Sequence, residues 1–125
     1  MLLNEILKDF EKAIQKLEKV LKLKKTDIIR DSGIKRFELC FDLAWKSAKE
    51  FARNQRVECY SPVECFKSAF QLKLIDYDTE WLDMVKDRNL TVHLYKEEMA
   101  DKVYKNLPGY LKMFKSLLKK IQEEM

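Results

Sequence analysis

Leu3-Asn4-Glu5-Ile6-Leu7-Lys8-Asp9-Phe10-Glu11-Lys12-Ala13-Ile14-Gln15-Lys16-Leu17-Glu18-Lys19-Val20-Leu21 decides the fold. Leu3, Leu7, Phe10, Ile14, Leu17 and Leu21 follow a 4-3-4-3-4 spacing, and Ile6, Ala13 and Val20 widen the same face. A helical period lines these positions along one side and leaves lysine and glutamate to water. This is the stripe of a bundle helix that packs at a shallow crossing angle. The same step returns near the other end in Val103, Leu107, Tyr110, Phe114, Leu117 and Ile121. It crosses Pro108-Gly109 without a change of phase, which predicts a kink rather than a break.

Working inward, Lys24-Lys25-Thr26-Asp27 ends the first helix. A second helix is predicted to start between Asp27 and Lys35, with Gly33 blurring its early boundary, and to run to about Asn54. Its apolar residues (Phe37, Leu39, Cys40, Phe41, Leu43, Ala44, Trp45, Ala48, Phe51, Ala52) exceed one stripe, so it should be central and touch neighbours on two sides. After a connector at 55–60, Ser61-Pro62-Val63-Glu64 has capping-box spacing with proline at the first helical position. Val63, Phe66, Ala69, Phe70 and Leu74 make a short third helix. Asp76-Tyr77-Asp78 reads as a turn, and Asp78 or Thr79 as the cap of a fourth helix carrying Trp81, Leu82, Met84 and Val85. The last helix begins near Lys96-Glu97-Glu98, where acids suit its positive end. The expectation is an all-α, up-and-down four-helix bundle with an additional short helix, one domain over residues 1–125. Phe37, Phe41, Trp45, Phe51, Trp81 and Phe114 are read as core.

Composition agrees. With 46% hydrophobic and 37% charged residues but only two glycines and two prolines, the chain favours few, long helices. No stretch has the length of an apolar membrane span. The N-terminus turns acidic at Glu5 without a basic-then-apolar leader, so a cytoplasmic protein is expected. The net charge of +4 permits contact with nucleic acid without arguing for it. Cys40, Cys59 and Cys65 form neither a C-x-x-C pair nor an even disulfide framework. Cys40 and Cys65 read as small buried hydrophobes and Cys59 as a loop thiol. With one histidine, a conventional structural zinc site is hard to assemble, and neither metal nor cofactor is expected. Phosphate loops, G-x-S-x-G elbows and H-E-x-x-H sites are missing from the sequence, which disfavours many enzyme classes.

The chemistry concentrates in Arg88-Asn89-Leu90-Thr91-Val92-His93-Leu94-Tyr95, which holds the single histidine. Arginine offers a permanent charge suited to phosphate, and histidine moves protons near neutral pH. On a regular helix Asn89 and His93 lie about 40° apart, while Arg88 and His93 are about 140° apart. The latter pair converges only if the helix loosens, and β-branched Thr91 and Val92 weaken it there. Metal-free cleavage of RNA through its own 2′-hydroxyl benefits from both a base and an acid. One chain has one histidine. Two chains meeting along this helix would supply two, so a catalytic site here implies a homodimer.

Arg88-x4-His93-x-Tyr95 resembles the R-x4-6-H signature of HEPN domains, in the form found in HepT-type toxins. Arg36-Phe37-Glu38, Phe41-Asp42-Leu43-Ala44-Trp45-Lys46, Ser61-Pro62, Ala69-Phe70-Gln71-Leu72 and the run from Trp81 to Asn89 resemble the nucleotidyltransferase substrate-binding protein family. The likeness spans roughly residues 10 to 121 and departs at Lys96, where asparagine is usual in the family. The resemblance implies a HEPN-like helical dimer partnered by an MntA-type minimal nucleotidyltransferase. It implies a metal-independent ribonuclease at the dimer cleft, silenced when the partner transfers AMP to the motif tyrosine. On that pattern Arg88 holds the scissile phosphate, His93 exchanges protons, Asn89 orients either group and Tyr95 receives the adenylyl group. Structural roles compete with these: Arg88 pairing with Asp83 or Glu98, Asn89 capping the helix, Tyr95 packing at the seam. The rival reading of the whole chain is a non-catalytic module that presents substrate to, or scaffolds, the nucleotidyltransferase.

Overall fold

Two hydroxyl side chains set the clearest boundaries. Thr26 Oγ1 accepts the Ile29 N–H at 3.1 Å and starts a helix at Asp27. Ser61 Oγ accepts the Glu64 N–H at 3.2 Å while the Glu64 carboxylate accepts the Tyr60 N–H at 3.0 Å, a reciprocal cap behind Pro62. In this computed structural model, which describes residues 2–77, 79–93 and 96–125, the helices are α1 (Leu2–Leu21), α2 (Asp27–Asn54), α3 (Pro62–Gln71), α4 (Thr79–Leu90) and α5 (Glu97–Glu123). A 3₁₀ turn, Thr91–His93, follows α4. The described residues contain no strand, in keeping with the expected helical class. Asp78, one of the two residues expected to cap α4, lies outside the described residues.

Glycine is scarce, so two helices stop on other residues. Arg56 and Lys73 adopt φ of 63° and 64° just past α2 and α3. There the N–H groups of Val57 and Leu74 reach back to the carbonyls of Ala52 and Ala69, both at 2.8 Å. Helix α5 continues through Pro108 unbroken. Lys96, at its N-cap, makes no side-chain capping bond.

The central position expected of the second helix is observed: α2 packs against α1, α3 and α5. Phe10, Phe37, Phe66 and Phe114 are fully buried, and Phe41, Phe51 and Trp81 nearly so. Rings meet across helices, Phe37 stacking on Tyr110 at 5.5 Å and Phe66 tilted against Trp81 at 4.7 Å between centroids. Trp45 is only half-buried, with the Lys49 ammonium over its ring. Three apolar residues counted toward buried faces are instead on the surface, Leu39, Val63 and Phe70. Leu74 is buried as expected, but three residues beyond the end of α3.

The cysteine reading needs correction. Cys59 and Cys65 form a disulfide, both sulfurs buried, which ties the connector to the first turns of α3. Cys59 is therefore not a loop thiol. Cys40 is a small core residue as expected, its thiol pushed up to about 12 by burial. No helix among the described residues is long and apolar enough to cross a membrane.

Candidate functional site

The end of α4 is built by Thr91. Its hydroxyl donates to the Arg88 carbonyl at 2.7 Å and accepts from Arg88 Nη1 at 3.1 Å. A β-branched residue bonding back to the previous turn weakens the helical ladder, and the chain tightens into the 3₁₀ turn at this point. The weakening of the α-helix expected from Thr91 and Val92 is thus present, as a tighter 3₁₀ turn. Arg88 Nη1 also lies 3.4 Å from Glu38 Oε2 on α2, with side chains 26% and 19% exposed. A half-buried guanidinium is therefore held from two directions, while its Nε is buried without a hydrogen-bond partner. The alternative partners for Arg88, Asp83 and Glu98, are not the ones it takes.

Asn89 and His93 are exposed. The backbone passes on through the His93 carbonyl, which accepts the Lys96 N–H at 3.2 Å. Tyr95, the expected site of adenylylation, lies outside the described residues. The fold thus turns Arg88 toward α2, while Asn89 and His93 are exposed residues.

Two charged groups that sequence reasoning missed frame this segment. Asp87, 7% exposed, faces α5 and accepts from Asn106 Nδ2 at 2.8 Å and from the Tyr110 hydroxyl at 2.6 Å. Burial, and then the Asp87 carboxylate, raise the Tyr110 hydroxyl pKa well above the usual tyrosine range. The signal in the sequence was a carboxylate falling on the buried Trp81–Met84–Thr91 face of the helix. Arg30, 3% exposed, donates to Glu97 at 2.7 and 3.3 Å, to Asp101 at 3.2 Å and to Asp31 at 3.0 Å. It fastens the first turn of α5, immediately after the motif, to α2. Glu97 is held below the usual carboxylate range by Arg30, and Asp101 by Lys25 and Arg30. Among the described residues no group of three histidine, cysteine or acidic side chains could hold a metal ion.

Comparison with known proteins bears on this geometry. Residues 5–123 match the family model described as nucleotidyltransferase substrate binding protein like. A solved structure from Thermus thermophilus shares 32% identity, covering 90% of this chain and 98% of that one, with a TM-score of 0.84. A Haemophilus influenzae protein described as having the fold of a substrate binding domain of a nucleotidyltransferase shares 22% identity over 93% of this chain and 98% of that one, with a TM-score of 0.79. A tri-AMPylated HEPN toxin of Shewanella oneidensis, solved in complex with an MNT antitoxin, shares 22% identity over 97% and 96%, with a TM-score of 0.78. No curated protein matches the sequence.

Proposed function

The chain belongs to the nucleotidyltransferase substrate-binding protein family, and from that premise we propose that it is the toxin of a HEPN and minimal-nucleotidyltransferase pair. In this reading residues 1–125 form one cytoplasmic bundle domain that works as a homodimer and cuts RNA without a metal. The observation that carries it is the arrangement at the end of α4. A guanidinium is fixed by Glu38 and Thr91 at the helix end from which the exposed residues Asn89 and His93 follow in the R-x4-H order.

Arg88 is the phosphate anchor. Its pre-set position lowers the cost of organising charge around the scissile phosphate as negative charge develops. His93 takes the proton of the 2′-hydroxyl, or returns one to the leaving 5′-oxygen. The 2′-oxygen then attacks phosphorus, the bond to the 5′-oxygen breaks, and a 2′,3′-cyclic phosphate remains. A single imidazole per chain supplies one of these two roles, so the second comes from the partner copy. Asn89, on the same exposed face, orients the imidazole or the phosphate. Tyr95, two residues beyond His93, receives AMP from an MntA-type partner, which places a bulky anion at the cleft. A HEPN toxin of the same fold that is AMPylated and bound to its MNT antitoxin supports both the partner and the modification.

The test is cleavage of RNA by unmodified protein in EDTA. Cyclic phosphate ends, lost in His93→Ala, are the expected result. A second reading, a non-catalytic substrate-binding or scaffold subunit of a two-component nucleotidyltransferase, is favoured by the likeness to the Haemophilus influenzae substrate binding domain. Absence of cleavage by protein whose intact mass shows no AMP on Tyr95 would select it.

A further inference from the structure

Beside the motif, α4 and α5 enclose a groove of about 700 Å³, within the size range of small-molecule sites. Its floor and rim are chemically sorted. Buried Asp87 and exposed Asn106 both line it, joined by their 2.8 Å hydrogen bond, and both bonds that Asp87 accepts within the fold fall on Oδ2. Lys86 from α4 and Lys102 and Lys105 from α5 line the groove together with the carboxylates of Glu80 and Asp83, and none of the three lysines is in an ion pair among the described residues. Leu90 and Met113 add apolar surface.

Gly109 is the telling residue. A glycine inside a helix, directly after a proline, weakens that helix. Gly33, the other glycine, has a packing reason, since an added β-carbon would lie 2.9 Å from the Tyr104 ring. Gly109 has none: an added β-carbon would meet nothing within 4 Å, and its φ is not positive. What its missing side chain does is leave the groove open.

We propose that this groove binds a nucleotide unit, with the amine-bearing edge of the base on Asp87 and Asn106 and the phosphate among Lys86, Lys102 and Lys105. A buried carboxylate whose Oδ2 accepts both bonds within the fold leaves Oδ1 to accept from an N–H donor. An amide beside it can accept from or donate to the neighbouring base position. Lys86, Lys102 and Lys105 offer an anion three ammonium groups outside any ion pair among the described residues, against the carboxylates of Glu80 and Asp83, and Leu90 and Met113 suit the face of a flat ring. The unit is either a residue of an RNA chain or a free nucleotide. As an RNA contact this rests on the ribonuclease reading and adds to it a second point of substrate recognition, on the α5 side of the helix that carries Arg88.

The experiment is an amide-resolved NMR titration at low salt, following Lys86, Asp87, Lys102 and Asn106. Probes are AMP, GMP, CMP and UMP, and a short oligoribonucleotide added to His93→Ala protein so that the chain stays intact. Saturable shifts of these amides are expected, with UMP, which lacks an exocyclic amine, weaker by about five-fold or more. Gly109→Trp, filling the groove from a position with free space, should weaken binding at least about ten-fold while thermal unfolding confirms the fold. Binding of the oligonucleotide identifies an RNA residue as the occupant, and binding of mononucleotides alone identifies a free nucleotide; both support the site. Absence of shifts at millimolar ligand, or unchanged affinity in folded Gly109→Trp, overturns it. The titration involves no cleavage, so its failure is separate from failure of the ribonuclease reading.

Discussion

The two glycines should respond in opposite directions to the same substitution. In Gly109→Ala the new methyl group enters open space, so the gain in helix propensity, about 1 kcal/mol, is uncompensated. In Gly33→Ala the same gain is opposed. The new carbon would lie 2.9 Å from Tyr104 Cε1 and 3.2 Å from Val20 Cγ1, against a comfortable separation of about 3.5–4.0 Å. Val20 is β-branched and stiff, and the Tyr104 ring carries the Lys25 ammonium at 5.8 Å, so neither neighbour yields freely. Overpacking of this kind costs roughly 1–3 kcal/mol, leaving a net loss of about 1 kcal/mol. For a domain of this size each kilocalorie moves the midpoint by about 3–6 °C. Gly109→Ala should therefore melt several degrees above the parent and Gly33→Ala several degrees below, followed by circular dichroism. Urea titrations with an unchanged slope would show that folded-state stability is what moved. If both variants shift upward together, the junction of α1, α2 and α5 is looser than the contacts imply and the argument fails.

Four further outcomes rest on the packing and the charges. Phe37→Ala removes a fully buried ring touching Phe41, Tyr110 and Phe114, and should cost about 3–5 kcal/mol in urea unfolding. Lys73→Gly relieves a left-handed non-glycine conformation and should raise stability by about 1 kcal/mol in the same assay, whereas a loss would mean the Lys73 side chain is needed there. Reducing the Cys59–Cys65 bond opens a short loop and should lower stability by about 2 kcal/mol, read as a fall in the melting midpoint with dithiothreitol that Cys59→Ser alone reproduces. Glu97 and Asp101 are held below their ordinary values of 4.5 and 3.8, so their contribution is complete above that range and is lost as pH falls through the lowered folded values. Arg30→Met should make the acid fall in the urea midpoint shallower; an unchanged acid limb would show that other carboxylates govern it.

Helix positions were legible because their determinants are local. The 4-3-4-3-4 stripes of α1 and α5 and the Ser61 cap act within a turn or two of the chain, whereas the start of α2 stayed open between Asp27 and Lys35 until the Thr26 cap placed it. What the sequence concealed depends on distant pairing. Glu38 reaches Arg88 across fifty residues of chain, and Arg30 meets Glu97 and Asp101 only because α2 and α5 align their first turns. The disulfide escaped notice because a sequence separation of 6 between cysteines has no characteristic geometry until the connector folds back onto α3. Within the candidate site, Arg88, Asn89 and His93 stand out in the sequence by residue type and order. The outward direction of Asn89 and His93, and the inward one of Arg88, were set by where α4 stops.

The Cys59–Cys65 bond also governs how the molecule reports its own damage. Tyr60 is 68% exposed in the connector, which makes the peptide bond after it the natural target of a protease that prefers aromatic residues. A cut there divides the chain into residues 1–60 and 61–125, with one cysteine of the pair on each piece. The fragments stay covalently joined and run as one band until a reductant is added. A nick between Cys59 and Cys65 is therefore visible on a gel only after reduction.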